Sequence, residues 1–143
     1  MQAHIVLAHP EPQSFNANLA HIARRTLEAQ GWQVSLSDLY AMGFDPCERP
    51  EHYVALQRPG RFDVQAAQRH ASEGGTIPPF VTSEIERLDR ADLLVLQYPM
   101  WWHLPPAILK GWFDRVLIYG AVYASQKRFE KGRYLGKRAI KAA

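Results

Sequence analysis

The chain has 143 residues and a mass of 16.3 kDa, which predicts a single domain, residues 1–143, able to bury a core without a metal or disulfide staple. Apolar residues make up 47% and charged residues 22%, a globular composition that excludes a disordered chain, and the single Cys47 excludes an internal disulfide. The net charge of +3 comes from residues 127–143, which hold seven basic residues and one acidic residue, so this charge is not a nucleic-acid-binding face spread over the fold.

Two strands are predicted in the first 37 residues. Gln2–Ala8 contains a continuous apolar run from Ile5 to Ala8, which is typical of a buried strand in a parallel sheet. Gln33–Leu36 is the second predicted strand. With a helix between them, this order forms half of a parallel α/β layer.

A loop and a helix connect these two strands. Two prolines in residues 9–14 exclude a helix there, and Ser14 or Asn16 is then expected to cap a helix. This helix is predicted to end at Gln30, because Gly31 is a natural helix stop. We expect its inner stripe to comprise Leu19, Ile22, Ala23 and Thr26.

Residues 38–80 form a long predicted excursion, repeatedly interrupted by proline and glycine. We expect short helical turns around 51–57 and 63–71. An excursion of this length in a compact domain is usually functional. Ser83-Glu84-Ile85-Glu86 has the pattern of a capping box, which predicts a short helix that starts at Ser83 and ends near Asp89.

The next strand and helix have the clearest patterns in the chain. Leu93–Gln97 is an apolar run that predicts a strand buried on both faces. A helix is predicted from Pro105 or Pro106 to about Tyr119, with a stripe formed by Ile108, Leu109, Trp112, Phe113, Val116 and Leu117. A fourth strand is predicted to begin at Arg138-Ala139-Ile140, shortly before the sequence ends.

Two loops follow the carboxyl ends of predicted strands, where parallel α/β sheets bind ligands. Loop 9–16 leads into a helix N-terminus that favours a phosphate, but it lacks the glycine motifs of dinucleotide-binding and P-loop proteins. Loop 98–105 gathers Tyr98, Trp101, Trp102 and His103, flat side chains that suit a flat aromatic ligand. Each loop also has a purely structural interpretation, as a helix cap and as an aromatic cluster under a loop.

Other kinds of site are disfavoured. Cys47 has no evident catalytic base, and Ser14 lacks the G-x-S-x-G pattern of a nucleophile elbow. The six histidines show no metal-ligand spacing, so we expect no metal. No apolar stretch approaches the ~20 residues of a membrane span, and Met1 is not followed by a signal-peptide pattern. We therefore expect a cytoplasmic protein without membrane insertion.

Three blocks of sequence, in order along the chain, carry a family resemblance. They are Ile5–Glu11 with Ser14-Phe15-Asn16, then Gly31–Val34 continuing through Ser37–Met42 to Pro46, then Tyr98–Trp102 with Pro106–Val116. In these blocks the chain resembles the NAD(P)H:quinone oxidoreductases. The resemblance implies an α/β, flavodoxin-like three-layer fold with parallel sheet order 2-1-3-4, whose last strand is incomplete and whose fifth strand is missing.

The resemblance also implies a tightly bound flavin, FAD with FMN as the alternative, and a homodimer with sites at the subunit interface. The residues that would hold the phosphates and the ribityl chain are His9, Gln13, Ser14, Phe15 and Asn16. Those that would line the flavin ring are Pro99, Met100, Trp102 and His103. Tyr123 would close the nicotinamide and quinone pocket, with Trp102 as the other wall. Asp63 would lie near a position that reaches the neighbouring subunit's cofactor.

The implied activity is two-electron reduction of a quinone by NAD(P)H, with both substrates using one pocket in turn by ping-pong kinetics. The sequence departs from the family in two places. His103 stands where an aromatic ring is usual, and the sequence ends before the family's Thr-Thr-Gly-Gly loop, so we expect a C-terminally truncated chain. Two alternatives stay open. One is a related FMN-dependent reductase, of azo compounds or ancillary to potassium efflux, and the other is an impaired remnant that acts only as an interaction partner.

Overall fold

The computed structural model describes residues 1–53 and 61–123. Its elements in chain order are β1 (Gln2–Leu7), α1 (Phe15–Ala29), β2 (Gln33–Asp38), a short 3-10 helix (Pro50–His52), α2 (Val64–Gly74), α3 (Pro79–Arg90), β3 (Leu93–Gln97) and α4 (Ala107–Val116). These residues group into two compact units: a sheet unit of residues 1–46 and 90–112, and a helical unit of residues 47–53, 61–89 and 113–123. No helix in the described ranges is long and apolar enough to cross a membrane.

The sheet unit contains a parallel three-stranded sheet in the order β2-β1-β3. Ile5 of the central strand pairs with Leu36 on one side and with Val95 on the other. This confirms the α/β class and the 2-1-3 part of the predicted order, while the predicted strand at 138–140 lies outside the described residues. β3 is half-buried rather than buried, and Leu93 is exposed, because β3 is the outer strand of the described sheet.

Helix α1 packs against the sheet through two alanines. Ala17 and Ala20 form one core cluster with Ile5 and Leu7 of β1, and Leu36, Val34, Val95 and Ala23 pack against it. The predicted stripe is wrong at Ile22 and Thr26, which are both exposed. The alanines carry no bulk beyond Cβ, so the helix backbone approaches the strands closely and the larger side chains turn outward.

The boundaries of α1 follow the predicted signals. Ser14 is the N-cap, and its side-chain oxygen accepts a hydrogen bond from the backbone N–H of Ala17 at 3.1 Å. Asn16, the other candidate cap, lies inside the helix. Gly31 has a φ of +83°, a left-handed conformation that ends the helix as predicted.

The helical unit has its own small core. Tyr53, Ala67 and Ala71 form this core, with Phe62 and Ile77 packed against it. The turn predicted around 51–57 is the 3-10 helix where it is described, and the helix predicted at 63–71 is α2. Asp63 caps α2 by accepting from the backbone N–H of Ala66 at 3.1 Å.

Helix α3 begins four residues before the predicted start. The capping-box prediction at Ser83 is wrong, because Pro79 already occupies the first helical position, where proline's missing N–H costs no hydrogen bond. Ser83 lies within the helix, and its hydroxyl donates to the Pro79 carbonyl at 3.0 Å. A pattern typical of a helix start therefore occurs here in the first turns of a longer helix.

Helix α4 confirms the predicted helix, but it ends at Val116 rather than near Tyr119, so Leu117 of the predicted stripe lies just beyond it. Leu109, Trp112 and Val116 are fully buried, and the other members of the stripe are half-buried. Gly111 lies so close to Pro46 that a Cβ at this position would collide with the Pro46 carbonyl and ring. The segment after β2 is thus packed directly against α4.

Candidate functional site

The loops that follow β1 and β3 meet at the carboxyl edge of the sheet. The backbone N–H of Ala8 donates to the Gln97 carbonyl at 3.0 Å. The Gln97 side-chain amide donates to Oδ1 of Asn16 at 2.7 Å, which links the end of β3 to the first turn of α1. The rings of His9 and Trp101 are 6.0 Å apart between centroids. The two predicted ligand loops are therefore adjacent.

The first turn of α1 offers free hydrogen-bond donors at this edge. No hydrogen bond from the described chain uses the backbone N–H groups of Phe15 or Asn16. The Ser14 oxygen accepts from Ala17, which leaves the hydroxyl proton of Ser14 available to donate. Donors at the positive end of a helix dipole favour an anion. Gln13, just before the cap, is exposed.

The imidazole of His9 is oriented by its own loop. The backbone N–H of Glu11 donates to Nδ1 of His9 at 3.0 Å. Nδ1 also lies 3.3 Å from the Glu11 carbonyl oxygen, a contact that would need a proton on Nδ1. The shorter contact has Nδ1 as the acceptor, which places the proton of the neutral form of the ring on Nε2. His9 therefore offers an Nε2–H donor beside the helix N-terminus.

A two-residue turn forms the tip of the loop after β3. The backbone N–H groups of Trp101 and Leu104 each donate to the other's carbonyl at 3.0 Å. The two residues between them have positive φ values, 53° at Trp102 and 62° at His103, so the turn resembles type I′. Asn-Gly is the usual pair in such turns, and the left-handed conformation costs other residues about 1–2 kcal/mol each.

This strained turn projects an aromatic side chain outward. Trp102 is 94% exposed, and Trp101 is 43% exposed. Both of these adjacent tryptophans therefore lie outside the core. Three more apolar side chains from the same two loops are exposed, Phe15, Met100 and Leu104, while Pro99 is half-buried. Exposed apolar side chains of this size are typical of a binding surface.

Asp63 and Tyr123, the remaining predicted site residues, belong to the helical unit. The Asp63 carboxylate is the cap of α2, as described above. The ring of Tyr123 is 45% exposed and meets the ring of Tyr119 edge-on, with 5.5 Å between centroids and an interplanar angle of 85°. The functional roles expected of Asp63 and Tyr123 stay predictions.

A buried polar network in the helical unit was not predicted. Oε1 of Glu48 accepts from the hydroxyl of Tyr53 and from the side-chain amide of Gln68, both at 3.0 Å. Arg115 is fully buried, and its Nε lies 3.9 Å from the same oxygen. The one available signal was the position of Arg115 on α4, three residues after Trp112 and therefore on the buried face.

The network strongly shifts the pKa of one of its members, Tyr53. Burial raises the pKa of Tyr53, and the neighbouring negative charge of Glu48 raises it further. Tyr53 therefore stays neutral and donates its hydroxyl proton to Glu48 throughout the physiological range. The hydrogen bonds that Tyr53 and Gln68 donate to Glu48 support the fold of the helical unit.

Comparisons with known proteins agree on one family. Residues 1–143 match the sequence profile of Flavodoxin_2, described as a flavodoxin-like fold. Over 140 residues the chain is 39% identical to NAD(P)H dehydrogenase (quinone) 1 of Cavia porcellus, covering 97% of this chain and 51% of that protein. Over 137 residues it is 38% identical to ribosyldihydronicotinamide dehydrogenase (quinone) of Pongo abelii, covering 95% of this chain and 59% of that protein.

A solved structure gives the same result. The NAD(P)H:quinone oxidoreductase from Methanothermobacter marburgensis superimposes with a TM-score of 0.67 at 33% identity, over 87% of this chain and 57% of that one. The chain spans about half the length of the curated relatives it matches.

Proposed function

Because the chain belongs to the Flavodoxin_2 family, we propose that it reduces quinones by two electrons from NAD(P)H through a bound flavin. The observation that carries this proposal is the pairing, at one edge of the sheet, of free donors with exposed aromatic rings. A flavin nucleotide has the same two parts, anionic phosphates and a flat ring system. The residues of this edge thus fit the group that the resemblance implies.

The phosphate-binding part of the proposal rests on loop 9–16. The N–H groups of Phe15 and Asn16, the Ser14 hydroxyl and Nε2–H of His9 are donors, and donors stabilise phosphate charge. Gln13 is exposed beside them and completes the proposed set. FAD is proposed rather than FMN, on the resemblance alone.

The ring-binding part of the proposal rests on the strained turn. Pro99, Met100, Trp102 and His103 are proposed to line the flat ring. Contact of one face of Trp102 with such a ring would bury exposed apolar surface, which favours binding. The bound flavin supplies hydride acceptance and donation, and the chain supplies placement and exclusion of water.

Nicotinamide and quinone are proposed to occupy one pocket in turn, giving ping-pong kinetics, with Trp102 as one wall. Tyr123 is proposed to close this pocket. Asp63 is proposed to reach the cofactor of the neighbouring subunit in a cytoplasmic homodimer. These assignments are supported by the resemblance and by the exposure of the three side chains.

Flavin loading and turnover of the purified chain test the proposal. The flavin absorbance of the protein is measured, and the released flavin is compared before and after phosphodiesterase treatment, which separates FAD from FMN by fluorescence. NAD(P)H-dependent quinone reduction is then followed for the chain alone and for a fusion with the C-terminal half of the Cavia porcellus relative. Trp102→Ala should lower flavin loading or hydride transfer, while Ile22→Ala, an exposed apolar control on α1, should change neither. Absence of flavin and of activity from both proteins would contradict the proposal.

A further inference from the structure

Three side chains of the helical unit lie in contact with one another in a row. The guanidinium carbon of Arg69, an exposed residue on α2, lies 4.7 Å from the ring centroid of Tyr119. The Tyr119 ring in turn meets the Tyr123 ring edge-on at 5.5 Å. The row therefore runs from a cation to a half-buried ring and then to an exposed ring.

The backbone fixes the spacing of the two tyrosines. The Ile118 carbonyl accepts from the N–H of Val122 at 3.0 Å, and the N–H of Gly120 donates to the Tyr123 carbonyl at 2.7 Å. Gly120 has a φ of +93°, a conformation that favours glycine. This closed turn brings the two rings together, but it leaves the side-chain torsions of both tyrosines to be set by what the rings contact.

Contacts with neighbouring side chains must therefore hold the exposed ring. Tyr123 is 45% exposed, so solvent offers no barrier to its rotation on that side. The ring of Tyr119 supplies the described aromatic contact, and the cation of Arg69 is attracted to the ring of Tyr119. A shift of the Tyr119 ring would remove the contact that orients Tyr123.

We propose that Arg69 is a positioning residue that holds the ring of Tyr123 in a single orientation through the ring of Tyr119. This role rests on the proposed function, in which Tyr123 closes the nicotinamide and quinone pocket. Arg69 touches neither substrate nor cofactor in this proposal. Its effect is on how well the pocket binds NAD(P)H and not on the chemical step.

The test uses Arg69→Gln, the conservative Arg69→Lys, and Arg25→Gln as a control at an exposed arginine of α1. Tyrosine ring signals are recorded by NMR in the 143-residue chain, with those of Tyr123 assigned through Tyr123→Phe. Arg69→Gln should shift the ring signals of Tyr123. Arg69→Lys, which keeps a cation, should restore part of the original spectrum, and Arg25→Gln should leave it unchanged.

Kinetics on the flavin-loaded protein give the second measurement. Arg69→Gln should raise KM for NAD(P)H about two- to fivefold, the factor that an exposed cation–π contact allows, with kcat nearly unchanged. Arg69→Lys should show a smaller rise in KM than Arg69→Gln.

The outcomes separate this proposal from the proposed function. Unchanged Tyr123 ring signals in Arg69→Gln would overturn the positioning role, whether or not the chain is active. A KM that rises in Tyr123→Ala and stays constant in Arg69→Gln would overturn it as well. If Tyr123→Ala leaves KM unchanged, the proposed function of Tyr123 is wrong, and the NMR signals alone decide whether Arg69 positions the ring.

Discussion

The same substitution at two tryptophans should have opposite effects, because Trp102 and Trp112 occupy opposite environments. Trp102 is 94% exposed on the strained turn, and Trp112 is fully buried in α4. Trp112→Ala removes a large buried side chain and should cost about 3–5 kcal/mol of folding free energy. Trp102→Ala removes little buried surface and should change that free energy by less than about 0.5 kcal/mol.

These magnitudes predict the assay results. A domain of this size has a free energy of unfolding of about 5–15 kcal/mol, so a loss of about 3–5 kcal/mol in Trp112→Ala removes a substantial share of it. In urea its midpoint should fall by roughly 2 M, given a typical dependence of about 1–3 kcal/mol per molar. The urea midpoint of Trp102→Ala should equal that of the unsubstituted chain.

Flavin reduction should give the reverse ranking. In soluble, folded protein, the rate of flavin reduction by NADPH should fall more in Trp102→Ala than in Trp112→Ala, because only Trp102 lies at the proposed ring site. Equal reduction rates in the two soluble variants would refute the assignment of Trp102. A loss of 2 kcal/mol or more in Trp102→Ala, at about the scale of a buried residue, would refute its described exposure.

Three further predictions follow from single contacts. Gly111→Ala should lower the free energy of unfolding by about 1–3 kcal/mol despite alanine's better helix propensity, since its Cβ collides with the Pro46 backbone; urea denaturation against Gly74→Ala, where the added Cβ has room, checks this. The pKa of Tyr53 is raised in the folded protein, so the contribution of Tyr53 to the free energy of unfolding is fully present below about pH 10 and is lost as the pH rises, because the tyrosine ionises first in the unfolded chain. Urea denaturation at increasing pH should therefore show a smaller alkaline loss of stability in Tyr53→Phe. His103→Gly should raise stability by up to about 1 kcal/mol by relieving the left-handed conformation, whereas His103→Val should lower it, and the reverse order of urea midpoints would contradict the strain at this turn.

The strands and the ligand loops could be predicted from sequence because they depend on local patterns. The apolar run of β1 and that of β3 require burial in a sheet wherever they occur. Prolines after β1 and β3 enforce loops, and Gly31 stops α1 at its predicted end. The position of the candidate site could be predicted as well, because the carboxyl ends of parallel strands lie at the same edge of a sheet and bring the following loops together.

The rest depends on distances between residues that are far apart in the chain. Which face of α1 packs on the sheet depends on how closely the helix approaches the strands. Hydrophobicity alone predicted Ile22 on this face, but the structure buries Ala20 and exposes Ile22. Glu48 meets Gln68 and Arg115 only after folding, so no local sequence pattern predicts this network. The type I′ turn at Trp102 and His103 could not be predicted either, because such turns favour Asn-Gly and the sequence has two bulky residues there.

The two alanines on the inner face of α1 also determine how this chain can vary in evolution. Replacement of Ala17 or Ala20 by a larger residue would push the helix away from the central strand, so we expect only glycine, serine and alanine to be tolerated at these positions without loss of stability. Ile22 and Thr26, although one is more hydrophobic, are free to change with little selection for packing. On this helix the smallest side chains therefore carry the packing with the sheet, and the larger exposed ones carry little of it.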